Sequence, residues 1–204
     1  MEYQLLKWDS NFFGGKVAKI SPAEIESGRL REILSELAAL DTMIVYWAAN
    51  EECESSIIED YGGKLVDRKI TFSVNLSLQN QNDWISTKMI EPFSESINKT
   101  DLEELAIQSG EYSRFAVDPN IARNKFTTLY KMWIHNALKS DSAQETLLAR
   151  DSGKTAGMLV TSEKNGQGNI ELLAVDKQFR GRQHGERLVR AAQHRGQGRR
   201  GAAR

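Results

Sequence analysis

The sequence predicts a mixed α/β (α+β) fold, in which a largely antiparallel sheet with flanking helices follows a smaller α/β unit. Apolar residues recur at helical spacing in several segments, and three strand-like runs in the second half are separated by glycine-containing turns. With 204 residues and 40% apolar content, the chain is long enough to bury a core in one large domain or two small ones.

The N-terminal α/β unit is predicted over residues 1–76. A helix over residues 28–40 precedes a strand over residues 43–48, and a second helix over residues 53–61 ends at Gly62. We expect a half-buried strand to close this unit, because apolar and polar residues alternate at its end. The alternating apolar residues are Ile70, Phe72, Val74 and Leu76.

A polar linker over residues 77–85 is predicted to lead into a second unit over residues 86–193. Thr100 and Asp101 are typical of a helix start, and Gly110 of a helix end. The elements expected in chain order are a strand at 87–93, a helix at 100–110, an irregular stretch at 111–124, a helix at 125–138, and strands at 146–149, 156–161 and 170–175. Their order predicts an antiparallel meander that leads into a last helix.

Charge is unevenly distributed along the chain. Residues 180–204 carry a formal charge of +7 and the rest of the chain −8, although the net charge is only −1. Neither a membrane-spanning run nor a signal-peptide pattern is visible, so we expect a cytoplasmic protein. The single cysteine, Cys53, lies among acidic residues, which predicts neither a disulfide nor a reactive thiol, and no metal site is predicted.

A phosphate-binding loop is predicted where the strand ending at Val175 runs into a basic, glycine-containing turn and a helix. Successive backbone N–H groups and the positive end of a helix dipole then point at one place, where a pyrophosphate can bind. The residues assigned to this loop and its strand are Leu173, Ala174, Val175, Arg180, Gly181, Arg182, Gln183, His184, Gly185 and Glu186.

This segment resembles the acetyl-CoA signature of the GNAT N-acetyltransferases. The family pattern [R/Q]-x-x-G-x-[G/A] falls on Arg180, Gln183 and Gly185, and Gln183 stands where the family usually has glycine. The resemblance implies the GNAT fold, acetyl-CoA as cosubstrate, and acetyl transfer to a primary amine. The Gln183 side chain would crowd the phosphates if the backbone there adopts a positive φ.

The resemblance also implies roles for residues of the preceding strand. Backbone groups around Leu173 and Val175 would hold the pantetheine arm, and Glu171 would act as general base, directly or through water. Glu171 lies on the opposite strand face from Ile170 and Leu172. The alternative is that Glu171 is a solvated strand residue or the partner in a salt bridge.

Two further segments are similar to the GNAT subgroup that acetylates nucleotide-linked amino sugars, the dTDP-fucosamine acetyltransferase type. They are Tyr112–Asn120 with Leu129–Ile134, and Trp8–Gly14. By this resemblance the N-terminal unit is an incomplete GNAT-like copy, Arg114 meets an anionic group of the substrate, and Asp118 holds the loop or a sugar hydroxyl. A structural pairing of Arg114 and Asp118 is the alternative.

Judged against the family, the C-terminal strands are missing, and residues 194–204 are expected to form a disordered basic tail. The tail is either a native arm or an out-of-frame read-through, and the sequence favours the second. No tyrosine follows Tyr130 to protonate the leaving thiolate. The alternative function is a noncatalytic module that binds CoA or a partner protein. Nucleic acid is not a favoured partner. The sequence leaves open whether the protein forms a homodimer and whether it is catalytically active.

Overall fold

The structure is a computed structural model that describes residues 2–50, 55–76, 88–139 and 144–202, with side chains up to residue 196. It divides into two compact units, Met1–Leu65 and Val66–Arg204. The sequence predicted the first unit to extend to residue 76 and a linker to follow at 77–85. Residues 66–76 instead belong to the second unit, and residues 77–87 lie outside the described part of the chain.

The first unit contains a three-stranded sheet of order β1-β2-β3, in which β1 and β2 are antiparallel and β2 and β3 are parallel. Its elements are β1 (Tyr3–Leu5), α1 (Lys7–Phe13), β2 (Lys16–Ile20), α2 (Ser27–Ala39), β3 (Thr42–Trp47) and α3 (Ser55–Asp60). The apolar residues of α2 recur at helical spacing and are buried against the sheet. The core cluster consists of Ala18, Ile20, Leu30, Ile33, Leu37 and Ile57.

The strand predicted at residues 70–76 is a wrong prediction. This segment has no strand structure, and Ile70, Phe72 and Val74 are exposed, Phe72 by 90%. Alternation describes only which side chains share a face, whereas a strand also needs a neighbour for its backbone hydrogen bonds. The segment belongs to neither described sheet, so the alternation by itself did not produce a strand.

The second unit contains a four-stranded antiparallel sheet of order β4-β5-β6-β7. Its elements are β4 (Ile90–Pro92), α4 (Lys99–Ser109), α5 (Arg114–Val117), α6 (Arg123–Lys139), β5 (Gln144–Asp151), β6 (Lys154–Lys164), β7 (Gln167–Val175) and α7 (His184–Ala202). The mixed α/β fold with an antiparallel meander is therefore confirmed. The predicted irregular stretch contains one short helix, α5.

Both hairpin turns of the meander have the positive φ angles of tight two-residue turns. Ser152 and Gly153 join β5 to β6 with φ of 51° and 78°, and Asn165 and Gly166 join β6 to β7 with φ of 54° and 72°. Such turns match the twist of the flanking strands, which is why Asn-Gly is a strong hairpin signal. They place the ends of the three long strands in register.

The four-stranded sheet is covered on both faces. Leu147, Ala149 and Leu159 form a cluster with Leu188 and Ala191 of α7. The alternate residues of β5 and β6, including Leu148 and Met158, are also fully buried, and α4 and α6 contact these strands. The sheet thereby supports α7 and the loop that leads into it.

The last helix continues to Ala202, past residue 193, after which the sequence predicted a disordered tail. Alanine, glutamine and arginine in this segment are good helix formers, whereas Gly196, Gly198 and Gly201 are poor ones. The guanidinium of Arg195 also bonds the carboxylate of Glu145 on β5. This contact ties the beginning of the basic segment to the sheet.

Candidate acetyl-CoA site

The loop between β7 and α7 ends in a group of free backbone donors. The first helical hydrogen bond of α7 runs from the Arg187 N–H to the Gln183 carbonyl at 3.0 Å. The N–H groups of His184, Gly185 and Glu186 precede that bond and therefore have no acceptor within the helix. Three donors at the positive end of a helix suit an anion such as a phosphate.

Two residues with positive φ shape this loop. Gly181 has φ of +77°, and Gln183 has φ of +63°. Glycine adopts this left-handed region freely, whereas glutamine is strained there. The Gln183 side chain was predicted to crowd a phosphate if its backbone has a positive φ, and its φ is positive. The side chain is exposed.

The start of the loop is held by short-range contacts. Asp176 caps the short 3-10 helix Lys177–Phe179, because its Oδ1 accepts the N–H of Gln178 at 2.8 Å. Arg180 Nε donates to the Val175 carbonyl at 3.1 Å and folds the loop back on the end of β7. The loop therefore leaves the strand with a defined direction.

The end of the loop is held by Asp151, the last residue of β5. Its Oδ2 accepts from Arg182 Nη1 at 3.0 Å and from His184 Nε2 at 3.1 Å. The hydroxyl of Ser152 also donates to this carboxylate, and together with Arg182 and His184 it lowers the pKa of Asp151. The sequence gives no signal for this role of Asp151, because an acidic residue beside a Ser-Gly turn is typical of an ordinary turn.

The predicted general base, Glu171, lies at an irregularity of β7. Val160 pairs with Leu172 and Thr161 with Ile170, so Glu171 is the extra residue of a β-bulge. Its Oε1 accepts the hydroxyl of Ser162, and Lys164 Nζ lies 3.9 Å away. The side chain is 40% exposed. Both the catalytic role and the salt-bridge alternative are compatible with this position.

The strand residues predicted to hold the cofactor lie on an edge strand of the described sheet, β7. Ala174 is buried, Val175 is half-buried, and Leu173 is 37% exposed. The backbone of an edge strand has unpaired donors and acceptors on its outer side, and these can bind an extended ligand arm.

Contacts from α4 bring the predicted substrate segment towards the same loop. Gln108 Nε2 donates to Asp176 Oδ2 at 3.3 Å, and Glu111 Oε1 lies 3.7 Å from Lys177 Nζ. Within the described residues Gln108 Oε1 is buried without a hydrogen-bond partner. The chain continues from Glu111 directly into the segment that contains Arg114 and Asp118.

Arg114 is the first residue of the short helix α5, and Asp118 follows its last residue. The Arg114 guanidinium lies 4.4 Å from the centre of the Phe115 ring. Asp118 Oδ1 accepts the N–H of Asn120 at 2.9 Å, which holds the turn after the helix. This contact is compatible with the loop-holding role predicted for Asp118.

Among the residues described, no group of His, Cys, Asp and Glu side chains has the arrangement of a metal site. Cys53 lies outside the described ranges. No helix in the described part of the chain is long and apolar enough to cross a membrane.

Two of the solved structures that are similar to this chain come from Staphylococcus aureus. One, a GNAT family acetyltransferase of the subspecies aureus, has 17% identity, covers 53% of this chain and 91% of its own, and has a TM-score of 0.43. The other is a GNAT family acetyltransferase of strain Mu50, which is 21% identical to this chain, with a TM-score of 0.41. The match covers 54% of this chain and 67% of that protein. Likenesses at this level carry no argument about function. No curated protein sequence matches the chain.

Comparison with protein families is more informative. Residues 111–204 match the model of the Acetyltransferase (GNAT) family. The matched range contains α6, the meander β5–β7, the loop with its free donors, and α7. Over this range, the second unit of the chain is similar to acetyltransferase domains of the GNAT family.

Proposed function

We propose that this protein transfers the acetyl group of acetyl-CoA to the primary amine of a nucleotide-linked amino sugar. The observation that carries the proposal is the group of free N–H donors at the start of α7, directly after the edge strand β7. Edge strand and helix start together suit a ligand that has an amide-containing arm and a pyrophosphate.

The residues of the loop fit such a ligand in space as well as in polarity. A Cβ added at Gly181 would meet nothing within 4 Å, and one at Gly185 would meet only Val175 Cγ2 at 3.6 Å. The backbone is therefore open to a close approach by phosphate oxygens. Arg180 and Arg182 add positive charge beside the donors, although the Asp151 carboxylate offsets that of Arg182.

The chemistry needs few side chains once the reactants are held. Acetyl-CoA supplies the thioester, whose carbonyl carbon the amine nitrogen attacks while the carbon–sulfur bond breaks. Glu171 takes the proton that the amine loses, and a backbone N–H of β7 stabilises the oxyanion. The leaving thiolate takes a proton from solvent in this scheme. Tyr130 is not assigned this role, because its side chain is buried among the helices, and this burial also raises its pKa.

The choice of amine rests on the segment around α5. Its sequence is similar to that of GNAT enzymes acting on nucleotide-linked amino sugars, and Gln108 and Glu111 link the preceding residues to the cofactor loop. Arg114 would pair with a phosphate of the nucleotide, because a guanidinium binds phosphate oxygens in pairs. Asp118 would keep the segment in place through its bond to Asn120.

A second candidate function is a noncatalytic module that binds CoA. The observation in its favour is Gln183, a side chain at a positive φ where the loop must approach the phosphates. Crowding there would shift bound CoA away from the geometry that acetyl transfer needs, without changing the fold.

Calorimetric titration with acetyl-CoA, followed by release of free thiol with a panel of amines, separates these functions. The panel should hold a dTDP-linked amino sugar, the same sugar without its nucleotide, and a polyamine. We expect binding, and thiol release fastest with the nucleotide-linked sugar. Binding without thiol release for any amine would favour the noncatalytic module, and no binding at all would contradict both.

A further inference from the structure

We propose that Asp151 is a positioning residue for the phosphate-binding loop, because its one carboxylate holds both Arg182 and His184, the two neighbours of the strained Gln183. The identity of the ligand that binds this loop rests on the proposed function. The positioning role rests only on the contacts between Asp151 and the loop.

One oxygen of Asp151 makes both contacts. Arg182 Nη1 lies 3.0 Å from Oδ2 and His184 Nε2 lies 3.1 Å from the same atom. The carboxylate is only 16% exposed, so water screens these contacts less than on an open surface. Arg182 also lies over the Phe179 ring at 5.4 Å, which further limits its movement.

His184 depends on this contact. Its residue is 3% exposed, and among the described residues its Nδ1 has no hydrogen-bond partner. The bond to Asp151 is thus the one described polar contact of a buried imidazole, and losing it would leave both ring nitrogens unsatisfied. We therefore expect the ring, and the first turn of α7 with it, to follow the position of Asp151.

Gln183 explains why the loop needs such an anchor. Its φ of +63° is unfavourable for glutamine, so the free loop would relax towards other backbone conformations. Contacts on both sides of it prevent that relaxation. A glycine at this position would need no such support.

Asp151 is well placed to act as an anchor. It ends β5 and pairs with Lys154 across the Ser152–Gly153 turn, so its backbone is fixed by the central hairpin of the sheet. A side chain on a rigid strand end positions a loop more precisely than one on another loop. The proposal predicts that loop conformation and cofactor affinity both depend on Asp151, and less so when residue 183 is glycine.

The first test measures the loop without any ligand. Amide hydrogen exchange at Arg187, whose N–H donates to the Gln183 carbonyl, should be compared by NMR in the wild-type protein and in Asp151→Asn. We expect severalfold faster exchange in Asp151→Asn than in the wild type. The increase should be smaller in the Gln183→Gly background, where the double variant is compared with Gln183→Gly. The Leu30 amide, which makes the corresponding bond to Glu26 in α2, is the internal reference. Glu163→Gln, which removes an exposed charge near the other hairpin turn, is the matched control.

The second test measures acetyl-CoA affinity in the wild-type protein, Asp151→Asn, Gln183→Gly and the double variant. We expect a severalfold loss in Asp151→Asn that shrinks in the Gln183→Gly background, whereas a merely structural role would give the same loss in both. Equal losses, or an Arg187 exchange rate no faster than in the control, would overturn the proposal. If Asp151→Asn does not fold, Arg182→Gln removes one of the two contacts and is judged by the same criteria. If the wild-type chain binds no acetyl-CoA while the exchange results hold, the proposed function fails and the positioning role stands.

Discussion

Gly110 lies against the ring of Tyr130, so closely that a Cβ at this position would be 2.1 Å from the ring Cζ. The φ of Gly110 is −95°, which any residue can adopt, so space and not backbone conformation requires glycine here. Tyr130 is buried and packs between Phe126 and Trp133, with ring centres 4.9 and 4.8 Å away. The end of α4 is therefore fitted to the aromatic core of α6.

The first prediction concerns this contact. Gly110→Ala should lower the free energy of unfolding by about 1–3 kcal/mol, because the ring has no free space into which it can move. Urea unfolding measures the change. Gly168→Ala is the control, since a Cβ there meets nothing within 4 Å, and a similar loss in both variants would contradict the explanation.

The second prediction concerns the strained loop. Gln183→Gly should raise the free energy of unfolding by about 0.5–1 kcal/mol. This is the cost of a left-handed backbone for glutamine minus the extra conformational entropy that a glycine loses on folding. It should also strengthen acetyl-CoA binding severalfold, since no side chain remains to crowd the phosphates. Thermal unfolding and calorimetric titration measure the two effects. Gln178→Gly, in the same loop at a negative φ, should instead be neutral or destabilising.

The third prediction concerns the bulge residue Glu171. Glu171→Gln should lower kcat by about 10²–10⁴-fold and leave the Kd of acetyl-CoA unchanged, because a general base acts on the amine only. Steady-state kinetics of thiol release measure this. Glu163→Gln provides a neighbouring charge change as control. Unchanged kcat in Glu171→Gln would leave Glu171 with only a structural role, as the side-chain partner of Ser162 and Lys164.

The fourth prediction concerns the link between α4 and α6. Lys131 first, and then His135, lower the pKa of the Glu103 carboxyl below its ordinary value of 4.5, with Glu103 oxygens 2.8 and 2.6 Å from their nitrogens. A carboxyl whose pKa is lowered on folding stabilises the protein at pH values above its ordinary pKa. This stabilisation is lost as the pH falls through the lowered pKa of the folded state.

Glu103→Gln should therefore cost about 1 kcal/mol or less at pH 7, as is usual for partly exposed pairs. The difference from the wild type should shrink as the pH falls below 4.5. Urea unfolding between pH 3 and 7 measures it, with the exposed Glu104→Gln as control. A difference independent of pH would show that packing, not charge, is lost.

The helices and the meander were predictable because their signals are local. The periodicity of α2 and α6 and the tight turns at Gly153 and Gly166 act within a few residues of the chain. The strand expected at residues 70–76 failed because pairing depends on a distant neighbour, which no pattern in the segment encodes.

The loop from Arg180 to Glu186 was predicted from the sequence, because a strand, a basic glycine-containing turn and a helix start are contiguous there, and its role in phosphate binding stays a prediction. Asp151 could not, since its role comes from a contact across 33 positions of the chain with His184. The contact of Gln108 with Asp176, across 68 positions, was hidden for the same reason.

By itself, the sequence of this protein determined where most of the helices and the two hairpins of the meander form, which residues connect β7 to α7, and that Gln183 departs from the family pattern. Tertiary structure decided that Gln183 has a left-handed backbone, that Asp151 holds both of its neighbours, and that Glu171 lies on a bulge. Local propensities act over one or two turns of chain, whereas strain, burial and shared partners arise only when distant segments pack together.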